Sequence, residues 1–100
     1  MNLPELKPKR SGKVTDINGI RKGFTIDKQV ELSQSDNPEK IFVLQEIVFE
    51  DGKKEIRIGY YIIGKKPKMR GKWVWGQYCP MIPRQDFEEL IKLAKKKRIL

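Results

Sequence analysis

The stretch IFVLQEIVFE at 41–50, continued by DGKKEIRIGYYII at 51–63, decides the fold of this 100-residue chain. β-Branched and aromatic residues dominate both halves, and such residues favour strands. Asp51-Gly52 between them is a strong hairpin signal, because the tight turn requires positive φ angles that these residues tolerate. We therefore predict two antiparallel strands joined by a two-residue turn, which pairs Ile47 with Ile56.

This register gives the two faces of the hairpin different expected environments. The face expected to meet the core carries Ile41, Val43, Gln45 and Ile47. The opposite face brings Phe42 beside Tyr61. It also places Glu46 opposite Arg57, so it is half polar and is expected to be exposed or partly covered. Arg57 then either contacts a phosphate or an aromatic ring, or forms a cross-strand ion pair with Glu46.

A loop rich in cations, GKKPKMRGK at 64–72, follows this hairpin. Its five cations are Lys65, Lys66, Lys68, Arg70 and Lys72, with no acidic residue among them. The glycines and the proline predict a protruding wing, which either contacts phosphates or remains a solvated loop.

A third strand, KWVWGQY at 72–78, places Trp73 and Trp75 on one face. Together with Tyr61 and Phe42, the two indoles could form a platform on which bases stack. Such stacking suits single strands, because every base has a flat face. The alternative is that at least one tryptophan fills the core beneath a helix.

The remaining chain predicts a first hairpin and a connecting loop. Asn18-Gly19 is another two-residue turn signal, which pairs Ile17 with Ile20. Residues 33–39 are polar and contain Asn37-Pro38, so we expect a loop there.

The C-terminal segment RQDFEELIKLAKKKRIL at 84–100 predicts a helix with Pro83 in its first turn. Its apolar face is formed by Phe87, Leu90, Ile91 and Ala94. The elements together predict an α+β fold, with an antiparallel sheet of about five strands (two hairpins plus one) and the C-terminal helix packed on it. A small open barrel of the OB or SH3-like kind with an appended helix is the alternative.

The formal charge of +9, with a pI of about 9.8, is unevenly distributed. Residues 56–72 carry six basic and no acidic residues, whereas residues 27–55 carry four basic and eight acidic ones. Such a field attracts polyanions such as nucleic acid, or an anionic surface. The alternative is that the charge serves solubility, and the abundant Lys, Glu and Ile also resemble a thermophilic composition.

Length and composition restrict the organisation and the chemistry. We place a single domain at 12–100, preceded by a flexible basic arm at 1–11. One cysteine and no histidine exclude an intrachain disulfide and a Cys/His zinc site, and Cys79 is expected to be a small buried hydrophobe. No apolar run approaches the roughly 20 residues of a membrane span, so we expect a cytoplasmic protein. We also expect no cofactor.

The case for catalysis is weak. Asp51 with Glu55 and Arg57 loosely matches the clustered carboxylates of a metal-dependent nuclease, with Arg in place of the usual Lys. Because Asp51 is expected to be used in the turn, we do not predict an enzyme.

The order of strand, strand, basic loop, strand and helix, with Ile56-Arg57 and Tyr60-Tyr61 before a Lys/Gly-rich turn, resembles the positive cofactor four and Whirly type of single-stranded DNA-binding domain. The resemblance covers at most residues 41–98. It implies a curved antiparallel sheet, a dimer, and single strands held by basic and aromatic side chains. Arg57, Tyr61 and the basic loop are the candidate contacts that carry over. The stretch WVWGQYCPMIP at 73–83 departs from the family's compact ending and leaves the helix position open.

These observations predict a non-enzymatic nucleic-acid-binding protein that favours single strands, of DNA or RNA, and forms a homodimer. The cations of the basic loop are expected to contact phosphates, and Tyr61, Trp73 and Trp75 to contact bases. The alternative is a protein–protein interaction module, such as a phage accessory subunit, in which the tryptophan strand is a docking surface.

Overall fold

The computed structural model describes residues 3–7 and 10–100; residues 1, 2, 8 and 9 of the predicted arm lie outside the described residues. The described chain forms a five-stranded antiparallel sheet and one C-terminal helix, so the α+β prediction is confirmed. The elements are β1 (Ser11–Thr15), β2 (Arg21–Gln34), β3 (Asn37–Phe49), β4 (Lys54–Ile63), β5 (Trp73–Trp75) and α1 (Arg84–Lys96).

The strand order is β1-β2-β3-β4-β5, so each strand pairs with the next one in the chain. The sheet is a continuous meander, and the predicted grouping into two hairpins plus one strand is not confirmed. Within the described ranges, no helix has the length and apolar character needed to cross a membrane.

The turn between β3 and β4 is one residue longer than predicted. Phe49 N donates to Lys53 O at 2.9 Å, which closes a loop of three residues. Gly52 adopts φ +86° at the end of this loop, and Asp51 Oδ1 accepts a hydrogen bond from Lys53 N at 2.9 Å. A type I turn followed by a left-handed glycine is the usual form of a three-residue hairpin loop.

The turn between β1 and β2 has the same form. Asp16 N donates to Ile20 O at 2.8 Å, and Gly19 adopts φ +79°. Asp16 Oδ1 also accepts hydrogen bonds from Asn18 N and Ile20 N, both at 2.9 Å. Ile17 is therefore at the tip and fully exposed, and the predicted pairing of Ile17 with Ile20 is wrong.

The longer turn shifts every pair in the β3–β4 ladder by one residue. Ile47 lies opposite Glu55, and Phe42 lies opposite Tyr60. Phe42, which was predicted to lie on the exposed or partly covered face, is instead in the core beneath α1, together with Leu44. The buried members of this core are Val30, Phe42, Leu44, Tyr60, Leu90, Ala94 and Ile99.

The connection between β2 and β3 is a short turn rather than the predicted loop at 33–39. Gln34 pairs with Asn37, so β2 and β3 continue almost to the turn. Asp86, which is 5% exposed in the first turn of α1, accepts hydrogen bonds from Ser35 N at 3.0 Å and Ser35 Oγ at 3.1 Å. The start of the helix is thereby attached to this turn.

The helix begins at Arg84 and ends at Lys96, so Pro83 is its N-cap rather than a residue of its first turn as predicted. Arg98 then adopts φ +62°, and Ile99 N donates to Ala94 O at 2.8 Å, which returns Ile99 to the core. Phe87, which was predicted on the buried face, is exposed.

The third strand is shorter than predicted, because the chain leaves the sheet after Trp75. Gly76 N donates to Tyr60 O at 2.8 Å, and no strand continues beyond it before α1. Cys79 lies in this departing segment and is exposed, so the prediction that it is buried is wrong.

Candidate functional site

The face of the sheet opposite α1 carries a cluster of aromatic rings around one arginine. We call this cluster the aromatic groove; it consists of Phe24, Arg57, Tyr61, Trp73 and Trp75. Tyr61 pairs with Trp75 and Ile63 with Trp73 across the β4–β5 ladder, which places both indoles on the same face as Tyr61.

Gly59 provides the space in which the Trp75 indole lies. A Cβ atom added at Gly59 would come within 2.2 Å of Trp75 Cη2, so the ring lies directly over the β4 backbone. The Tyr61 ring meets the indole edge-to-face, with 5.1 Å between centroids. Tyr61 and Arg57 lie two residues from Gly59 in opposite directions along β4, so the indole lies between these two side chains.

Arg57 is in contact with rings from two strands. Its Cζ lies 4.6 Å from the centroid of Trp75 on β5 and 4.7 Å from that of Phe24 on β2. Within residues 3–7 and 10–100, no carboxylate lies within 4 Å of its guanidinium. Burial lowers the pKa of Arg57 below its usual value, an effect partly offset by Tyr61. Arg57 is therefore a partly desolvated cation that rings stabilise and that has no counter-ion among the described residues.

A series of side-chain hydrogen bonds through two glutamines orients Arg57. Arg57 Nε donates to Gln45 Oε1 at 2.8 Å, and Gln45 Nε2 donates to Gln29 Oε1 at 2.6 Å. Gln29 Nε2 in turn donates to Glu31 Oε1 at 3.3 Å. Gln45 is 0% exposed, and burying an amide costs stability unless both its donor and its acceptor are used, as they are here.

The alternative for Arg57, an ion pair with Glu46, is wrong. The one-residue shift places Glu46 opposite Ile56, and Glu46 forms its contact with Lys54 at 3.7 Å. Arg57 lies opposite Gln45, so a neutral side chain takes the place of the expected carboxylate.

Two clefts that adjoin at Tyr61 form the open part of the groove. The first, of about 230 Å³, is lined by Ser11, Gly12, Lys13, Phe24, Arg57, Tyr61 and Trp75. The second, of about 280 Å³, is lined by residues 4–7, Tyr61, Gly71, Lys72 and Trp73. Because β1 and β5 are the two edge strands and both border the first cleft, the sheet curls around this face.

The N-terminal segment lies against one end of the groove. Trp73 Nε1 donates to Pro4 O at 2.7 Å, and residues 4–7 face Tyr61 and Trp73 across the second cleft. Nothing in the sequence pattern indicated this contact.

The basic loop is closed at its base by backbone hydrogen bonds. Gly64 N donates to Lys72 O at 2.8 Å, and Gly71 N donates to Gly64 O at 3.2 Å. All five cations of the loop are exposed, and Lys65 is engaged by Glu39 at 3.0 Å. Lys72 lines the second cleft, whereas Lys65, Lys66, Lys68 and Arg70 line neither cleft.

The structure thus brings together part of the predicted site. Tyr61, Trp73, Trp75 and Arg57 share the groove, and neither tryptophan belongs to the core under α1. Phe42 does not join them, because it lies on the opposite face. Phe24 and Gln45 were missed, although a glutamine inside the apolar run of β3 is a signal of a buried polar function.

The residues considered for a nuclease are used in the turn. Asp51 accepts the hydrogen bond from Lys53 N described above, and Glu55 forms an ion pair with Lys53 Nζ at 3.5 Å. The described part of the chain holds no group of three or more His, Cys, Asp or Glu that could bind a metal ion.

Comparison of the chain with protein families, curated proteins and solved structures finds no significant match.

Proposed function

We propose that the aromatic groove binds single-stranded nucleic acid, DNA or RNA, without catalysing a reaction on it. The observation that carries this proposal is the position of Arg57 beside Phe24 and Trp75, with no counter-ion in the part of the chain that the structure describes. A ligand that offers both flat rings and hydrogen-bond acceptors complements this arrangement, and a nucleic-acid strand offers both. Single strands are favoured because the bases of a duplex are already stacked on one another.

The groove suggests how contacts are divided. Bases stack on Tyr61, Trp73 and Trp75, each contact contributing about 1–3 kcal/mol. Phosphates lie at the rim, where Lys72 borders the second cleft and Lys13 the first. The further loop cations, Lys65, Lys66, Lys68 and Arg70, add attraction at longer range.

We also propose that the chain forms a homodimer, as the resemblance to the positive cofactor four and Whirly type implies. Sedimentation of the protein over a range of concentrations tests this directly. A single monomeric species throughout would contradict it.

A second candidate function is docking of another protein just beyond β5. Tyr78 and Met81 are each 80% exposed, and large apolar side chains at this exposure favour a contact surface. Binding through this surface depends less on salt than phosphate contacts do.

Titration of labelled single- and double-stranded oligonucleotides at about 50 mM and about 200 mM salt tests the proposal. We expect single strands to bind more tightly, with affinity that falls steeply as salt rises because counterions are released. Lys72→Ala should reduce the slope of this salt dependence by about one. Lys92→Ala, on exposed helix surface away from the groove, is the matched control and should leave the slope unchanged. If neither oligonucleotide binds at low salt, the proposal is wrong.

A further inference from the structure

Arg57 has one edge of its guanidinium that the described residues leave open. Its Nε atom is bound to Gln45, and rings from β2 and β5 contact its Cζ at 4.7 and 4.6 Å. Its two terminal Nη groups make no hydrogen bond or ion pair with residues 3–7 or 10–100. Arg57 also lines the first cleft, so this edge is next to space that a ligand can occupy.

Gln45 fixes the orientation of this edge without neutralising it. A carboxylate in the position of Gln45 would hold Nε equally well but would cancel the charge of Arg57. The amide, locked by its second hydrogen bond to Gln29 at 2.6 Å, positions the guanidinium and leaves its charge for a ligand. Gln45 is therefore a positioning residue for Arg57.

The free edge offers two parallel N–H donors in one plane, and its best partner has two acceptors side by side. Guanine offers N7 and O6 in this arrangement, and unpaired cytosine offers N3 and O2. Arg with guanine is the commonest base-specific pair. Adenine offers a donor beside its N7 acceptor, which does not match. Phosphate also accepts two hydrogen bonds from arginine.

The position of Arg57 favours a base over a phosphate. It lies between Phe24 and Trp75, among the rings of the groove on which bases stack in the proposed complex. The exposed Lys13 and Lys72 line the two clefts, where they can contact the backbone of a strand whose bases are turned inward. On the basis of the proposed function, we infer that Arg57 selects guanine within a single strand bound in the groove.

The test compares oligonucleotides that differ at one base in a run of thymines. We expect a single guanine to increase affinity about tenfold over the all-thymine strand. Replacing it by 7-deazaguanine, which lacks the N7 acceptor but stacks similarly, should remove this gain.

Two matched substitutions assign the effect to Arg57. Arg57→Lys keeps the charge but loses the planar pair of donors, so it should lose the preference for guanine while still binding thymine strands in a salt-dependent way. Arg84→Lys, the same exchange at an exposed position of α1, should retain the preference. Thermal unfolding of each variant verifies that it is folded.

The outcomes separate this inference from the proposed function. Salt-dependent binding with equal affinity for guanine and thymine strands would overturn the role of Arg57 and leave the proposed function standing. An equal gain from 7-deazaguanine, or from cytosine, would also overturn the selection of guanine. Absence of binding to every strand would overturn both.

Discussion

The two faces of the sheet are built from alternating residues of the same strands, yet they are filled in opposite ways. On the helix-covered face, Leu44 and Leu90 are fully buried against other apolar side chains. On the groove face, Gln45 is equally buried but is polar, and it supports Arg57. Neighbouring positions of β3 therefore serve two different purposes.

This difference indicates that the helix-covered face stabilises the fold, whereas the groove face holds particular side chains in one orientation. Apolar burial stabilises in proportion to area and does not require exact partners. A buried amide contributes little unless every partner is present, and its loss leaves unsatisfied groups. An apolar residue in place of Gln45 would keep the backbone pairing of the sheet, but it would leave Arg57 Nε and Gln29 Oε1 without their hydrogen-bond partner.

The largest expected effect comes from breaking the helix-covered face. Leu90→Ala removes a fully buried side chain and should lower the free energy of unfolding by about 2–5 kcal/mol. Urea unfolding measures this, and Lys92→Ala, two residues further along α1 on its exposed side, should have little effect. A loss below about 1 kcal/mol would show that α1 contributes little to the core.

A smaller effect is expected from filling the space under the Trp75 ring. Gly59→Ala places a methyl group where the indole lies, and should cost about 1–3 kcal/mol of stability and weaken oligonucleotide binding. Gly23→Ala is the matched control, because its nearest neighbour would be Glu50 Oε1 at 3.7 Å, an ordinary contact. Equal behaviour of the two variants in unfolding and binding would contradict the packing of Trp75 over Gly59.

The smallest effect on stability is expected from removing a ring of the groove. Trp75 is half-buried and outside the helix core, so Trp75→Ala should reduce single-strand affinity about tenfold while the domain stays folded. Circular dichroism and oligonucleotide titration measure the two properties separately. Tyr78→Ala, which removes an exposed aromatic ring outside the groove, should keep its affinity. If Trp75→Ala unfolds the domain, the ring is structural.

Much of the fold could be predicted from local patterns, but the register could not. The alternation of β-branched residues located β3 and β4, and the spacing of Leu90 and Ala94 located the buried face of α1. The dipeptides Asn18-Gly19 and Asp51-Gly52 fit both two- and three-residue loops. The aspartate side chain that accepts hydrogen bonds from later backbone N–H groups accompanies the longer loop in each case.

The sequence predicted only those residues of the aromatic groove that their residue type and closeness in the chain indicate. Tyr61, Trp73 and Trp75 were found because they are aromatic and close in sequence, whereas Phe24 comes from a distant strand. The partner of Arg57 depended on a register that was one residue in error, so Glu46 was expected where Gln45 lies. Single-residue register shifts exchange the two faces of a strand, and β3 gave no warning because it is buried on both.

The most direct test of the groove uses the fluorescence of its own indoles. The chain has two tryptophans, Trp73 and Trp75, and both lie in the groove, so emission reports on this site alone. Titration with a thymine oligonucleotide at low salt should quench the emission to a plateau, and added salt should reverse the quenching. Emission that stays unchanged in excess oligonucleotide would contradict binding in the groove.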